Sequence, residues 1–231
     1  RQRVAWDVAC MFLILVGTIV AQFVESVSST TSWDERWIVC NCSRILNHLV
    51  LTISLSFLLY VLDILIVTVD IFSYRSVHEP DIPKATERWN IVQALLRKAS
   101  SVTEPGFVAL IVVCSCSVPV FIWDHRALGS DYVESLRLQV PHLLLLCGIS
   151  RTFVVAAAAT DKCTRVPSLI NSLCFGEGSE RRRQHLVEYI VQSAAGFYVC
   201  DFRLTFGMVT KFSYVSIVIL FGFLGQELTR K

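Results

Sequence analysis

Two charged side chains lie deep inside long apolar runs and are the first candidates for chemistry. Asp63 lies in the run His48–Phe72, and Arg151 lies in the run Gln139–Thr160. At about 1.5 Å per residue, they lie roughly 22 Å and 18 Å along their helices. An unpaired charge at such a depth in a bilayer costs several kcal/mol, so we predict that the two form an intramembrane ion pair. The pair either aligns two helices or faces a water-filled vestibule and affects ion passage.

No pattern typical of an enzyme accompanies these charges. The sequence has no H-E-x-x-H or G-x-S-x-G motif, and no nucleotide-binding glycine pattern follows a strand. Its nine cysteines show no CxxC or His/Cys spacing that would bind a metal. We therefore expect no enzymatic activity, no cofactor and no metal site.

The composition is typical of an integral membrane protein. Of 231 residues, 54% are hydrophobic and only 17% are charged, whereas a soluble domain has about a quarter charged residues. The apolar residues form long blocks, which predict an all-α fold with membrane-spanning helices in a single domain, 1–231. We expect membrane lipids as partners and no nucleic acid. The five predicted spans are Val4–Val24, His48–Phe72, Gly106–Trp123, Gln139–Thr160 and Phe206–Gln226.

The distribution of Lys and Arg predicts how the spans are oriented. Most basic residues outside the spans fall on one side, which includes the long segments 73–105 and 161–205. Because cytoplasmic loops carry the excess of basic residues, we predict that the chain starts inside the cell and ends outside. Asn41, in an Asn-x-Ser triplet within a predicted extracellular loop, is then a candidate for glycosylation. We expect a multi-pass protein of the plasma membrane.

Both predicted cytoplasmic segments contain helical patterns. In Ala85–Lys98 the apolar residues Trp89, Val92, Leu95 and Leu96 have helical spacing. A second helix is predicted to begin at Glu180, with Ser179 as its N-cap. These helices either lie on the membrane surface or extend the spans inward. Alternatively, the fairly apolar residues 185–202 form a further span, which would place the C terminus inside.

The C-terminal region, from Ser193 to Phe221, resembles the signature of the invertebrate gustatory receptors, members of the seven-transmembrane insect chemoreceptor superfamily. That signature has a Gly-Phe turn before the last helix, then Thr-Tyr, five apolar residues and Gln-Phe. Gly196-Phe197 matches the turn, Ser213-Tyr214 takes the place of Thr-Tyr, and Phe221 matches the final Phe. Leu220 stands where the family has Gln.

The resemblance implies a heptahelical receptor bundle of which this chain holds the third to seventh spans. The chain begins at Arg1 and not at Met, and we expect that the earlier segments are missing. Segments 73–105 and 161–205 would form the family's cytoplasmic anchor domain. The implied function is a taste receptor that acts as a ligand-gated, non-selective cation channel. It would be a homo- or heterotetramer whose last helices line one pore, opened by a small tastant or odorant.

One face of the last helix is then the candidate pore lining and gate. Ser213, Ile217, Leu220 and Leu224 share this face by their spacing, with Phe221 beside them. An apolar ring can close a pore by dewetting, and Leu220 in place of an amide makes the constriction harder to wet. The candidates for the ligand pocket are polar and aromatic residues in the outer halves of the spans, namely Gln22, Phe23, His48, Trp123 and His142.

Two other functions are alternatives to the channel. A G-protein-coupled receptor is also heptahelical, but its orientation is opposite to the one predicted here. The sequence contains neither Asp-Arg-Tyr nor Asn-Pro-x-x-Tyr. A membrane transporter would suit the deep charges, but the sequence shows no internal repeat and no pair of broken spans.

Overall fold

The structure is a computed structural model of the chain. It describes residues 35–79, 81–127, 132–174 and 179–229, together with helical positions scattered between Trp6 and Val20. Helices account for most of the described residues, so the predicted helical class is confirmed at that level. The described residues also include a short two-stranded hairpin near the C-terminal end.

Five helices and two strands are described over most of their length. The helices are α1 (Glu35–His78), α2 (Ile82–Ala127), α3 (Tyr132–Ser172), α4 (Glu180–Gln192) and α5 (Phe206–Thr229). The strands β1 (Tyr198–Val199) and β2 (Phe202–Arg203) lie between α4 and α5. They pair antiparallel, with Tyr198 opposite Arg203 and Val199 opposite Phe202.

Two stretches of the described residues are long and apolar enough to cross a membrane. They are the helical stretches Ile45–His78 and Ile82–Cys116, whose most apolar 18-residue windows have mean hydropathies of 2.5 and 1.5. They overlap the predicted spans His48–Phe72 and Gly106–Trp123. The core helix of a soluble protein can have the same length and composition, so these helices support membrane association and leave the five-span bundle a prediction.

The helices extend further than the apolar runs that predicted them. Helix α1 begins at Glu35, so Asn41 lies within a helix and the prediction that it lies in a loop is wrong. Helix α2 continues without a break through Pro105 into the predicted span Gly106–Trp123. A proline removes one backbone hydrogen bond of the helix. Thr103 and Phe107, on either side of Pro105, are buried, and their packing stabilises the helix at this point. This continuity favours extension of the span over a helix lying on the membrane surface.

The helix predicted to begin at Glu180 is confirmed, and Ser179 occupies its N-cap position. The Ser179 hydroxyl, however, makes no capping hydrogen bond. With 13 residues, α4 is about 20 Å long, too short for a hydrocarbon core of about 30 Å. A hairpin follows it, so residues 185–202 do not form a further span.

The chain divides into two compact units, residues 1–60 with 108–152, and residues 61–107 with 153–231. The described core of the first unit comprises Leu55, Leu58, Leu59, Leu110 and Ile149. The core of the second unit draws residues from helices α1 to α4 and from the connection after α4. They are Leu62, Val69, Phe72, Trp89, Val92, Leu96, Phe107, Ala156, Val166, Ile170, Leu186, Ile190 and Phe197.

Aromatic contacts join the helices of the second unit. The rings of Phe72 and Trp89 have centroids 5.1 Å apart. Phe107 contacts Phe153 of α3 at 5.3 Å and Phe197 at 5.1 Å. The helical pattern predicted for Ala85–Lys98 is confirmed, since this segment lies within α2. Trp89, Val92 and Leu96 are buried, whereas Leu95, rotated by about 100° from Leu96, is 47% exposed.

Candidate functional site

The connection between α4 and α5, residues 193–205, contains the Gly196-Phe197 motif. Ala194, Cys200 and Asp201 have positive φ angles of 46°, 49° and 63°. Positive φ at two successive hairpin residues is the geometry of a type I′ turn, whose twist matches that of the flanking strands. The chain therefore reverses at 200–201 and returns directly to the start of α5 at Phe206.

One face of α2 carries a polar stripe, which consists of Trp89, Gln93, Arg97, Ser100 and Glu104. At one end of this stripe, the Trp89 indole Nε1 donates to the Ser193 Oγ at 3.1 Å. Gln93 Nε2 donates to the Ser193 carbonyl oxygen at 3.3 Å. Both bonds attach the C-terminal end of α4 to α2.

The other end of the polar stripe binds the hairpin. Ser100 Oγ accepts a hydrogen bond from the Tyr198 backbone N–H at 3.0 Å. Glu104 Oε1 accepts one from the Cys200 N–H at 2.9 Å. Backbone N–H groups in irregular connections need partners of this kind, so the polar stripe provides two that the hairpin itself lacks.

Helix α3 holds the motif from the other side. The Thr160 Oγ1 accepts a hydrogen bond from the Phe197 N–H at 2.9 Å, and the Phe197 ring is fully buried. Arg203 Nη2 donates to the Ala195 carbonyl oxygen at 2.6 Å. A Cβ atom on Gly196 would lie 2.7 Å from Arg203 Nε and 3.0 Å from Thr160 Cγ2. Glycine is therefore required here by the space available.

We expect Thr160→Val to lower the free energy of unfolding by about 1–3 kcal/mol, because the buried Phe197 N–H loses its acceptor while the side-chain volume is kept. Thr164→Val on the same helix is the control, since Thr164 is exposed and its hydroxyl donates only to the Asp161 carbonyl oxygen. The measurement is chemical unfolding of the purified protein. Equal effects of the two substitutions would contradict a specific role for the Thr160 hydroxyl.

Two further side chains of α3, Lys162 and Cys163, lie close to Thr160 in the sequence. Lys162 of α3 forms a salt bridge with Asp70 of α1 at 2.5 Å. Burial raises the pKa of the Cys163 thiol to about 11. Cys163 is therefore a neutral core residue and not a reactive thiol.

Helix α5 begins at Phe206, as predicted. Its described side chains are mostly apolar and exposed, among them Phe206, Met208, Phe212, Tyr214, Val215, Ile217 and Val218. Ser213 is exposed, and its hydroxyl donates to the Val209 carbonyl oxygen of its own helix at 2.9 Å. Leu220, Phe221 and Leu224 lie within α5, but their side chains lie outside the described part. The pore face is therefore described only at Ser213 and Ile217.

The ligand-pocket candidates are described only in part. His48 lies in α1 and is half-buried. Trp123 lies in α2 and His142 in α3, but the side chains of both are outside the described part. Gln22 and Phe23 lie outside the described residues. The side chain of Asn41 is likewise outside it.

The two deep charges have different environments. Asp63 is buried at 8% exposure, and Arg151 is exposed. Their ion pair stays a prediction. Among the residues that the structure describes, no group of three or more His, Cys, Asp or Glu side chains could hold a metal ion.

Most of the residues that hold the motif were not predicted from the sequence. Gln93, Ser100 and Glu104 recur at i, i+7 and i+11 on one face of α2, and this polar periodicity marks them as candidates for a shared contact. Thr160 and Arg203 carried no comparable signal, because each acts on a residue far away in the sequence or across the hairpin.

The chain matches no protein-family model, no curated protein and no solved structure. Function is therefore inferred from the residues and their geometry. These define a hydrogen-bonded turn at the base of an apolar terminal helix.

Proposed function

We propose that this protein is a chemosensory receptor of the gustatory type, acting as a ligand-gated, non-selective cation channel in the plasma membrane. The observation that supports the proposal most directly is the apolar surface of α5. Its exposed apolar residues Tyr214, Val215, Ile217 and Val218 cover about 160° of the helix circumference. Phe206, Met208 and Phe212 widen this apolar surface to about 240°. A helix with so wide an apolar surface needs lipid or other protein around it.

In the proposed assembly, four copies of α5 from identical or related subunits surround one pore, with Leu220 at its narrow part. The C terminus lies outside the cell and the long basic segments lie inside. Residues 82–105 of α2 and 161–172 of α3 extend the helices beyond their most apolar parts, which suits an intracellular anchor domain. The stimulus is a small tastant or odorant.

The turn at Gly196 provides the proposed link between ligand binding and the pore. It is bonded to α2 through Ser100 and Glu104 and to α3 through Thr160. It joins α5 after a connection of only two residues beyond β2. A movement of α2 or α3 caused by a bound ligand would therefore shift the base of α5, provided that the ligand binds the two states with different affinity.

We expect Leu220→Gln to increase the resting cation current severalfold when the full-length protein is expressed in cells, because an amide makes an apolar constriction easier to wet. Val218→Gln is the matched control, since position 218 lies about 200° around the helix from position 220. The currents are compared at equal surface expression, measured with a C-terminal epitope tag on unpermeabilised cells.

An unchanged resting current in Leu220→Gln would contradict a pore-facing Leu220, as would an equal increase in Val218→Gln. A C-terminal tag that is accessible only after permeabilisation would contradict the proposed orientation. That result would favour a receptor coupled to a G protein.

A further inference from the structure

A polar cleft lies between the polar stripe of α2 and the segment from Gln192 to Asp201. Its volume is about 530 Å³, which is in the range of sites that hold small organic molecules. Gln93, Arg97, Ser100 and Glu104 line the α2 side, and Ser193, Tyr198, Cys200 and Asp201 line the opposite side. All of these residues belong to the second unit.

The lining of the cleft carries one cation and two anions. The exposed guanidinium of Arg97 makes no ion pair or hydrogen bond with any residue in the described ranges. Glu104 Oε1 accepts a hydrogen bond from the Cys200 N–H, and the carboxylate adds a negative charge to the lining of the cleft. Asp201 is exposed at the hairpin turn. Desolvation, followed by the nearby Glu104 carboxylate, raises the pKa of the Cys200 thiol, so this thiol adds no charge.

The walls of the cleft are held in place before any ligand binds. Gln93 and Ser100 bond to Ser193 and Tyr198, and Glu104 bonds to Cys200, so both ends of the opposite wall are attached to α2. A preorganised site loses less conformational entropy on binding. Arg97 lies between the two attachment points, where a ligand can reach it.

We propose that this cleft binds an α-amino acid with a cationic side chain. Its carboxylate is bound by Arg97, whose planar guanidinium can donate two parallel hydrogen bonds to it. Its two cationic groups are bound by Glu104 and Asp201. One negative and two positive groups on the ligand complement the one positive and two negative groups of the lining.

The spacing of the charges favours an extended ligand. Positions 97 and 104 are separated by about 10 Å along the axis of α2, at 1.5 Å per residue. An amino acid with a long side chain can contact both positions at once, whereas a compact ion would contact only one. Binding here does not depend on channel activity, so the test needs only the purified protein.

The test is isothermal titration of the purified full-length protein in detergent with L-lysine and L-arginine as probes. We expect at least one of them to bind saturably, and L-alanine and L-glutamate to bind at least about tenfold more weakly, since each loses a charge-assisted contact. Arg97→Gln and Asp201→Asn should each raise the Kd for the basic amino acid by about tenfold or more. Asparagine tolerates positive φ, so Asp201→Asn keeps the turn.

Lys98→Gln is the control for both variants, because Lys98 is an exposed neighbour of Arg97 that does not line the cleft. It should leave the Kd unchanged. The proposal is overturned if neither basic amino acid binds saturably, or if L-glutamate binds equally well. It is also overturned if Arg97→Gln, which retains the helical circular dichroism of the parent, binds with the parent's affinity.

Discussion

Phe197→Ala is expected to lower the free energy of unfolding by about 3–5 kcal/mol, as for other buried aromatic side chains replaced by alanine. Phe197 has no exposed surface, and its ring contacts Phe107 of α2 with centroids 5.1 Å apart. Because its backbone N–H is bonded to Thr160 of α3, the residue joins two helices to the turn. Removal of the ring leaves a cavity that these attached elements cannot fill.

Phe202→Ala is the matched control, since Phe202 lies in the same hairpin but is 64% exposed. We expect it to change stability by no more than about 0.5 kcal/mol, as is usual for surface substitutions. Both variants are compared with the parent by chemical unfolding in detergent, followed by circular dichroism. Similar losses in the two variants would show that Phe197 is not part of a packed core.

Gly196→Ala is expected to cost about 1–3 kcal/mol, the usual range for overpacking. The added Cβ would lie 2.7 Å from Arg203 Nε and 3.0 Å from Thr160 Cγ2. Arg203 can relieve the contact only by moving, and its Nη2 is bonded to the Ala195 carbonyl oxygen. The substitution therefore opposes the same interactions that hold the turn, and we expect a lower melting temperature of the purified protein.

Gly207→Ala tests whether this effect depends on position. Gly207 lies in the first turn of α5, where a Cβ atom would have no atom within 4 Å beyond the adjacent backbone of its own helix. Alanine is the better helix former, so the change should be neutral or stabilising by up to about 1 kcal/mol. If Gly196→Ala were as well tolerated as Gly207→Ala, the close approach of Arg203 and Thr160 would have no energetic consequence.

Together, these substitutions would separate the turn's structural role from its proposed part in gating. Phe197→Ala and Gly196→Ala change the attachment of the turn to α2 and α3, whereas Leu220→Gln changes only α5. A resting current raised by Leu220→Gln without loss of stability would place its effect in the pore. A loss of stability in Phe197→Ala or Gly196→Ala concerns the packing of the turn, and the channel proposal is tested by the currents of Leu220→Gln.

The positions of the principal helices could be predicted from the sequence, because they depend on local patterns of residues. The apolar block from Phe206 and the break before Glu180 predicted the starts of α5 and α4, and both are confirmed. The ends of helices were harder to predict where an apolar run passes into polar sequence. Helix α1 begins at Glu35, well before its apolar run, because polar residues can propagate a helix once it has been nucleated.

The residues that form the site become apparent only from how the helices pack. The acceptor for the Phe197 N–H is 37 residues away, and the acceptor for the Tyr198 N–H is 98 residues away. No local pattern connects such pairs, since their contact depends on how helices pack. The sequence signature placed Gly196 in a turn. The structure shows why glycine is needed at that position, since Arg203 and Thr160 leave no room for a side chain. That space exists only after the hairpin has folded between α2 and α3.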